Sequence, residues 1–103
     1  MTTLLVKEDI NTSVEYFLSK LEGADNKSKN EIENNLVRIG DKAVPELVQQ
    51  LQVVKGTVRG VVAMTLIRIG KPAIDCLKRA AQSNKDFEWI ANYLITEIDG
   101  IAA

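Results

Sequence analysis

The chain contains an internal repeat with a period of 30 residues, and this repeat limits the fold more than any other feature of the sequence. The segment Leu36–Val44 recurs as Leu66–Ile74, and comparison of residues 27–56 with 57–86 gives eight identities in thirty positions. Most of the identities are apolar residues or glycines, the types that a fold demands at equivalent positions. Because a unit of this length cannot bury its apolar face alone, neighbouring units must stack on one another.

The apolar residues within each unit follow the period of an α-helix. Spacings of three and four residues place a set of them on one helix face, namely Val44, Leu47, Val48, Leu51 and Val54. The same pattern predicts six helices, near residues 12–22, 28–39, 44–54, 57–69, 73–83 and 86–98. We therefore predict an all-α fold, a short α-solenoid of about two and a half helical-hairpin repeats.

The repeat pattern also gives the domain organisation. Residues 12–103 form a single repeat domain, which agrees with the usual size of roughly 100–200 residues for one domain. Residues 1–11 precede it as an N-terminal segment, for which partial disorder stays open.

Local signals mark the helix ends. The segments Thr12–Glu15 and Ser28–Glu31 have the pattern of capping boxes, in which two side chains satisfy free N–H groups at a helix start. Gly23, Gly40 and Gly70 follow apolar stretches, where a left-handed glycine commonly ends a helix.

The composition excludes most kinds of catalytic chemistry. The sequence has no histidine and one cysteine, Cys76, which argues against a histidine proton relay, a thiol–histidine pair and a histidine metal site. The six glycines are scattered singly and form no phosphate-binding loop. We therefore expect no enzymatic activity, no cofactor and no metal.

Charge and cysteine content indicate the setting in which the protein works. The 13 basic and 14 acidic side chains give a net charge of −1, whereas a protein that works on nucleic-acid phosphates normally carries a basic excess. No apolar run approaches the roughly 18 residues of a membrane helix, and the N-terminus does not fit a signal peptide. A single cysteine cannot form an internal disulfide. We therefore expect a cytoplasmic protein that binds a protein rather than nucleic acid and does not insert into a membrane.

The second copy of the repeat resembles a HEAT repeat. The residues that carry the resemblance are Val58, Arg59, Ala63, Leu66, Ile69, Gly70, Pro72, Ala73 and Leu77. Their pattern is similar to the HEAT-like repeat of phycobilisome lyase type, except that Thr65 replaces a second alanine. The first copy matches less completely, since Lys42 stands in place of the proline.

This resemblance implies a protein–protein interaction module, a small HEAT-repeat adaptor or scaffold. Family members also include subunits of enzymes that attach bilin chromophores to antenna proteins and factors that degrade the antenna. The alternative function is therefore an accessory role in phycobilin attachment or removal, or in phycobilisome assembly or degradation. In that case the partner is a phycobiliprotein or another antenna protein.

The resemblance assigns the concave face to the helices predicted at 12–22, 44–54 and 73–83. Outward positions at steps of 30 residues form three rows: Tyr16, Glu46 and Cys76; Ser19, Gln49 and Arg79; Lys20, Gln50 and Ala80. We predict that these rows, apart from Ala80, bind the partner, because the inner face of a solenoid is its usual binding surface. The alternative is a solvated face without function.

Two further groups of residues have alternative interpretations. We expect Trp89 and Tyr93 to cap the second repeat; the alternative is an exposed aromatic end that forms a homodimer or receives a partner. Arg68 is interpreted as a cation that stabilises a helix C-terminus. Arg59 lies near a helix start, where the dipole disfavours a cation, so we expect it to bind a loop carbonyl or carboxylate of the preceding repeat.

Overall fold

The computed structural model describes residues 6–102, and the side chains of residues 10–100. These residues form six α-helices and no strand, which confirms the prediction of an all-α fold. The helices are α1 Val6–Ser19, α2 Asn26–Ile39, α3 Val44–Leu51, α4 Gly56–Ile69, α5 Ile74–Ser83 and α6 Glu88–Ala102. Short 3₁₀ turns, which the sequence did not indicate, precede three of them at Gly40–Ala43, Lys71–Ala73 and Lys85–Phe87.

The helices pack in two layers. Helices α1, α3 and α5 form one layer, here called the odd layer, in which each helix packs on the next. Helices α2, α4 and α6 form the even layer in the same way. The layers are joined because α1 packs on α2, α3 on α4 and α5 on α6.

The repeated positions supply the core between the layers. Leu36 and its equivalent Leu66 are fully buried in the even layer, and Leu47 and its equivalent Leu77 are fully buried in the odd layer. Burying one such side chain contributes about 1.5–3 kcal/mol relative to leaving it exposed. The identities between the two copies are therefore largely residues that the packing requires.

Helix α1 begins at Val6, six residues before the start that the sequence pattern predicts. The predicted capping box Thr12–Glu15 lies inside the helix. The reason is an apolar period that continues backwards, since Ile10 is partly buried and Val14 and Leu18 are buried at steps of four residues. Residues 1–5, which belong to the expected N-terminal segment, lie outside the described residues.

Helix α2 also begins earlier than predicted, because a different residue caps it. Asp25 is the N-cap, and its Oδ1 accepts a hydrogen bond of 2.8 Å from the Ser28 backbone N–H. A carboxylate at this position satisfies a free N–H group and faces the positive end of the helix dipole. Hydrogen bonds from the backbone N–H and the side chain of Ser28 lower the pKa of Asp25.

Helices α2 and α4 end at equivalent glycines, Gly40 and Gly70. Their φ angles are 79° and 88°, as the glycine signal predicts, but their ψ angles of −145° and −139° lie outside the left-handed helical region. Each glycine N–H still bonds back to the helix, to the carbonyl of Leu36 or Leu66. Side chains rarely tolerate this backbone conformation, so glycine is needed at both positions.

We expect Gly70→Ala to lower the free energy of unfolding by about 1–3 kcal/mol, because a side chain is strained at this φ. A steric clash contributes nothing, since the nearest atom to an added Cβ is a carbonyl oxygen at 4.0 Å. The matched control is Gly60→Ala on the exposed surface of α4, which should raise the free energy of unfolding by up to about 1 kcal/mol. Denaturant titration measures both, and equal effects of the two substitutions would contradict the assignment of strain.

The lowered pKa of Asp25 predicts a pH dependence of stability. The charged cap stabilises the folded state fully above the ordinary pKa of 3.8, and this contribution is lost as the pH falls through the lowered pKa of the folded state. Asp25→Asn keeps a capping oxygen without a titratable charge. We expect the stability advantage of the unsubstituted protein over this variant to shrink in acid, as measured by urea unfolding. An advantage that stays constant with pH would contradict the charged cap.

Candidate functional site

The structure exposes one of the three predicted rows on every helix of the odd layer. Ser19 on α1, Gln49 on α3 and Arg79 on α5 are all exposed. Ser19 Oγ donates a hydrogen bond of 2.7 Å to the Tyr16 carbonyl, whereas no hydrogen bond of the Gln49 or Arg79 side chain is found among the described residues. Gln49 and Arg79 therefore present free hydrogen-bonding groups to a partner.

The row of Tyr16, Glu46 and Cys76 does not form a shared surface. Glu46 is buried, with 7% of its area exposed, so its expected outward position is wrong. Cys76 is partly buried, and Tyr16 is 57% exposed. In this row Glu46 on α3 faces the groove beside α1, and Cys76 on α5 faces the groove beside α3. Each side chain is therefore partly covered by the preceding helix of the odd layer. No odd-layer helix precedes α1 among the described residues, which leaves Tyr16 open.

The residues of the third row also differ in their exposure to solvent. Lys20 is exposed, and its Nζ lies 5.1 Å from the centre of the Tyr16 ring. Gln50 is partly buried, and its Nε2 donates a hydrogen bond of 2.9 Å to Glu46 Oε2. Gln50 therefore satisfies the buried carboxylate, which is a structural role within the protein.

Two grooves lie side by side on the odd layer. One, of about 320 Å³, runs between α1 and α3 and is lined by Ile10, Asn11, Lys42, Pro45, Glu46 and Gln49. The other, of about 300 Å³, runs between α3 and α5 and is lined by Pro45, Val48, Gln49, Gln52, Cys76, Arg79, Ala80 and Ser83. Because Pro45 and Gln49 line both, α3 forms a ridge between two connected depressions.

The walls of the grooves combine apolar and polar groups in a way that suits a polypeptide. Pro45, which is exposed, and Ala80, which is partly buried, offer apolar surface to a side chain. The exposed Gln49 amide is both donor and acceptor, which matches the two hydrogen-bonding groups of a peptide unit. Arg79 adds a cation, and arginine is among the residues that most often anchor protein interfaces. Among residues 10–100 no group of three or more potential metal ligands is found.

Sequence reasoning missed two contacts between neighbouring units. Arg68 Nη1 bonds Glu33 Oε2 at 2.8 Å and Asn34 Oδ1 at 2.9 Å, so this residue joins α4 to α2. Asn84 Nδ2 donates to Gln52 Oε1 at 3.1 Å and joins the turn before α6 to the end of α3. In each contact the two residues lie more than thirty positions apart in the sequence. The apolar spacing of the repeat does not indicate which polar side chains pair in this way.

The expectations for Arg59 and for the aromatic residues of α6 are corrected. Arg59 Nε is buried and has no hydrogen-bond partner among the side chains and backbone that the structure describes, and it lies beside a small pocket of about 130 Å³ that Asn84 and Asp86 help to line. Trp89 and Tyr93 are 69% and 59% exposed, so they do not cap the second repeat. Phe87, which is 2% exposed, is the aromatic residue buried in the core at this end.

The buried Glu46–Gln50 pair gives a test of the site's internal structure. We expect Gln50→Ala to lower the free energy of unfolding by about 1–3 kcal/mol, since it leaves a buried carboxylate without its partner. The control is Gln49→Ala, one residue earlier and exposed, which should change stability by less than about 0.5 kcal/mol. Chemical denaturation distinguishes them, and equal values would mean that the pair contributes no stability.

Comparison with known proteins does not assign the chain to a family. No family model matches it, and searches of curated proteins and of solved structures give no match either. Within the described part of the chain, none of the helices has both the length and the apolar character that crossing a membrane requires.

Proposed function

We propose that the protein is a non-catalytic protein–protein interaction module that docks a protein partner in the two grooves of the odd layer. The observation that carries this proposal is the shared wall of the grooves, where Gln49 and Pro45 connect the depressions on either side of α3. A partner segment that crosses α3 can contact all three helices of the layer. The proposal agrees with the interpretation of the sequence as a small HEAT-like scaffold.

Two properties of the odd layer favour docking: its packed helices are rigid, and the side chains of Gln49 and Arg79 are available for hydrogen bonds to a partner. Helices that pack side by side lie about 8–10 Å apart, so they hold their exposed side chains at fixed separations. A partner that matches these separations loses little entropy in ordering the surface. Gln49 and Arg79 supply hydrogen bonds, while Pro45 and Ala80 supply apolar contact. Tyr16 and Lys20 are further exposed side chains at the end of α1, and Gln50 holds Glu46 in the wall of a groove by a hydrogen bond.

The alternative role in bilin attachment or antenna turnover is supported by the sequence resemblance alone. The docking role requires only the surface described above, and a phycobiliprotein remains one candidate partner. The docking proposal therefore includes this alternative as a particular choice of partner, without assigning chemistry to the chain.

The test compares three tagged proteins as baits in a native extract, with retained proteins quantified by mass spectrometry. The baits are the unsubstituted protein, the groove variant Gln49→Ala/Arg79→Glu and the control variant Asn30→Ala/Lys27→Glu. The control makes the same changes of size and charge on the exposed surface of α2. Circular dichroism first establishes that all three baits are folded.

We expect a partner that the unsubstituted protein and the control retain, and that the groove variant loses by about tenfold or more, because arginine and amide contacts of an interface often contribute over 1 kcal/mol each. Equal retention by all three baits would place the docking surface elsewhere and overturn the proposal.

A further inference from the structure

The even layer carries an exposed aromatic patch that the docking role does not use. The patch consists of Met64 on α4 and of Trp89 and Tyr93 on α6, which are 49%, 69% and 59% exposed. Trp89 and Tyr93 are four residues apart and share a helix face. Met64 precedes Tyr93 by 29 residues and holds the equivalent position on the adjacent helix. Three large apolar side chains exposed together are typical of an interaction site.

The charged side chains of α6 are all acidic. This helix carries Glu88, Glu97 and Asp99 and contains no lysine or arginine among its residues. All three carboxylates belong to exposed residues. Glu97 and Asp99 lie towards the C-terminal end, where the helix dipole is itself negative and acidic side chains are unfavourable. A cation from outside would relieve this concentration of negative charge.

Of the two arginines of α4, Arg59 lies in the first turn, with its Nε buried beside a pocket that Asp86 and Ile90 help to line, and Arg68 is bound within the protein. Arg68 directs Nη1 to Glu33 and Asn34 on α2. Among the side chains that the structure describes, the cation found over an aromatic ring is Lys20 on Tyr16, at the opposite end of the chain. The rings of Trp89 and Tyr93 therefore have open faces, and tryptophan is the aromatic side chain that attracts cations most strongly.

We propose that the aromatic patch binds an arginine-bearing segment of a protein partner. A guanidinium stacks on Trp89 or Tyr93 and pairs with Glu97, which lies four residues after Tyr93 on the same helix face, while an apolar neighbour in the segment contacts Met64. A symmetric dimer through α6 fits less well, since it would bring the acidic side chains of two identical helices together. The partner is therefore basic, in contrast to the acidic helix that receives it.

Trp89 is the single tryptophan of the chain, so its fluorescence reports directly on the patch. The probe is a ten-residue amidated peptide of alternating arginine and leucine, titrated into the full-length protein. A peptide with glutamate in place of arginine has the same apolar side chains and the opposite charge. The variant Tyr93→Ala removes a ring of the patch, and Glu97→Gln removes the carboxylate beside it. Val53→Ala and Glu31→Gln are the controls on other exposed surfaces, and circular dichroism checks that each variant is folded.

We expect the arginine peptide to change the Trp89 emission and the glutamate peptide to leave it unchanged. Each patch variant should weaken the binding of the arginine peptide about two- to fivefold, and the controls should not. Higher salt should also weaken binding, because exposed charges are screened. An unchanged emission, equal effects of both peptides, or equal affinities of patch and control variants would overturn the proposal. Emission that depends on protein concentration, with dimerisation in sedimentation, would assign the patch to a second copy instead.

Discussion

The structure depends on the burial of equivalent leucines between two layers of helices. Leu36 and Leu66 face the core from the even layer, while Leu47 and Leu77 face it from the odd layer, and all four are fully buried. Each helix must therefore contact both its hairpin partner and its neighbour in the same layer, and these contacts determine which positions face outward.

Local hydrogen bonds help to determine where the helices begin and end. The apolar period indicated how many helices form and which residues they bury, because burial is strong and recurs every three or four residues. The starts were harder to predict, since several residues near a start can act as caps. The apolar face of α1 extends back past Ser13 to Ile10, and Asp25 caps α2 ahead of Ser28. The 3₁₀ turns have no apolar period, so periodicity does not predict them.

The candidate site was predictable only in part, for a geometric reason. Counting thirty residues forward finds equivalent positions, yet equivalent positions have equal exposure only where their surroundings are also equal. Ser19, Gln49 and Arg79 point away from the layer and are exposed throughout. Glu46 points towards the neighbouring helix and is buried, while its equivalent Tyr16 is open. Contacts such as that of Arg68 with Glu33 depend on two side chains that lie far apart in sequence, and periodicity does not detect them.

The two-layer arrangement has a consequence for assembly. The grooves belong to the odd layer and the aromatic patch to the even layer, with the leucine core between them. Ligands on these two surfaces would not compete for space, and neither would need to displace the other to leave. Sites that share no residues also tend to contribute additively to free energy. A chain of this size can therefore act as a bridge whose two ends are occupied in either order.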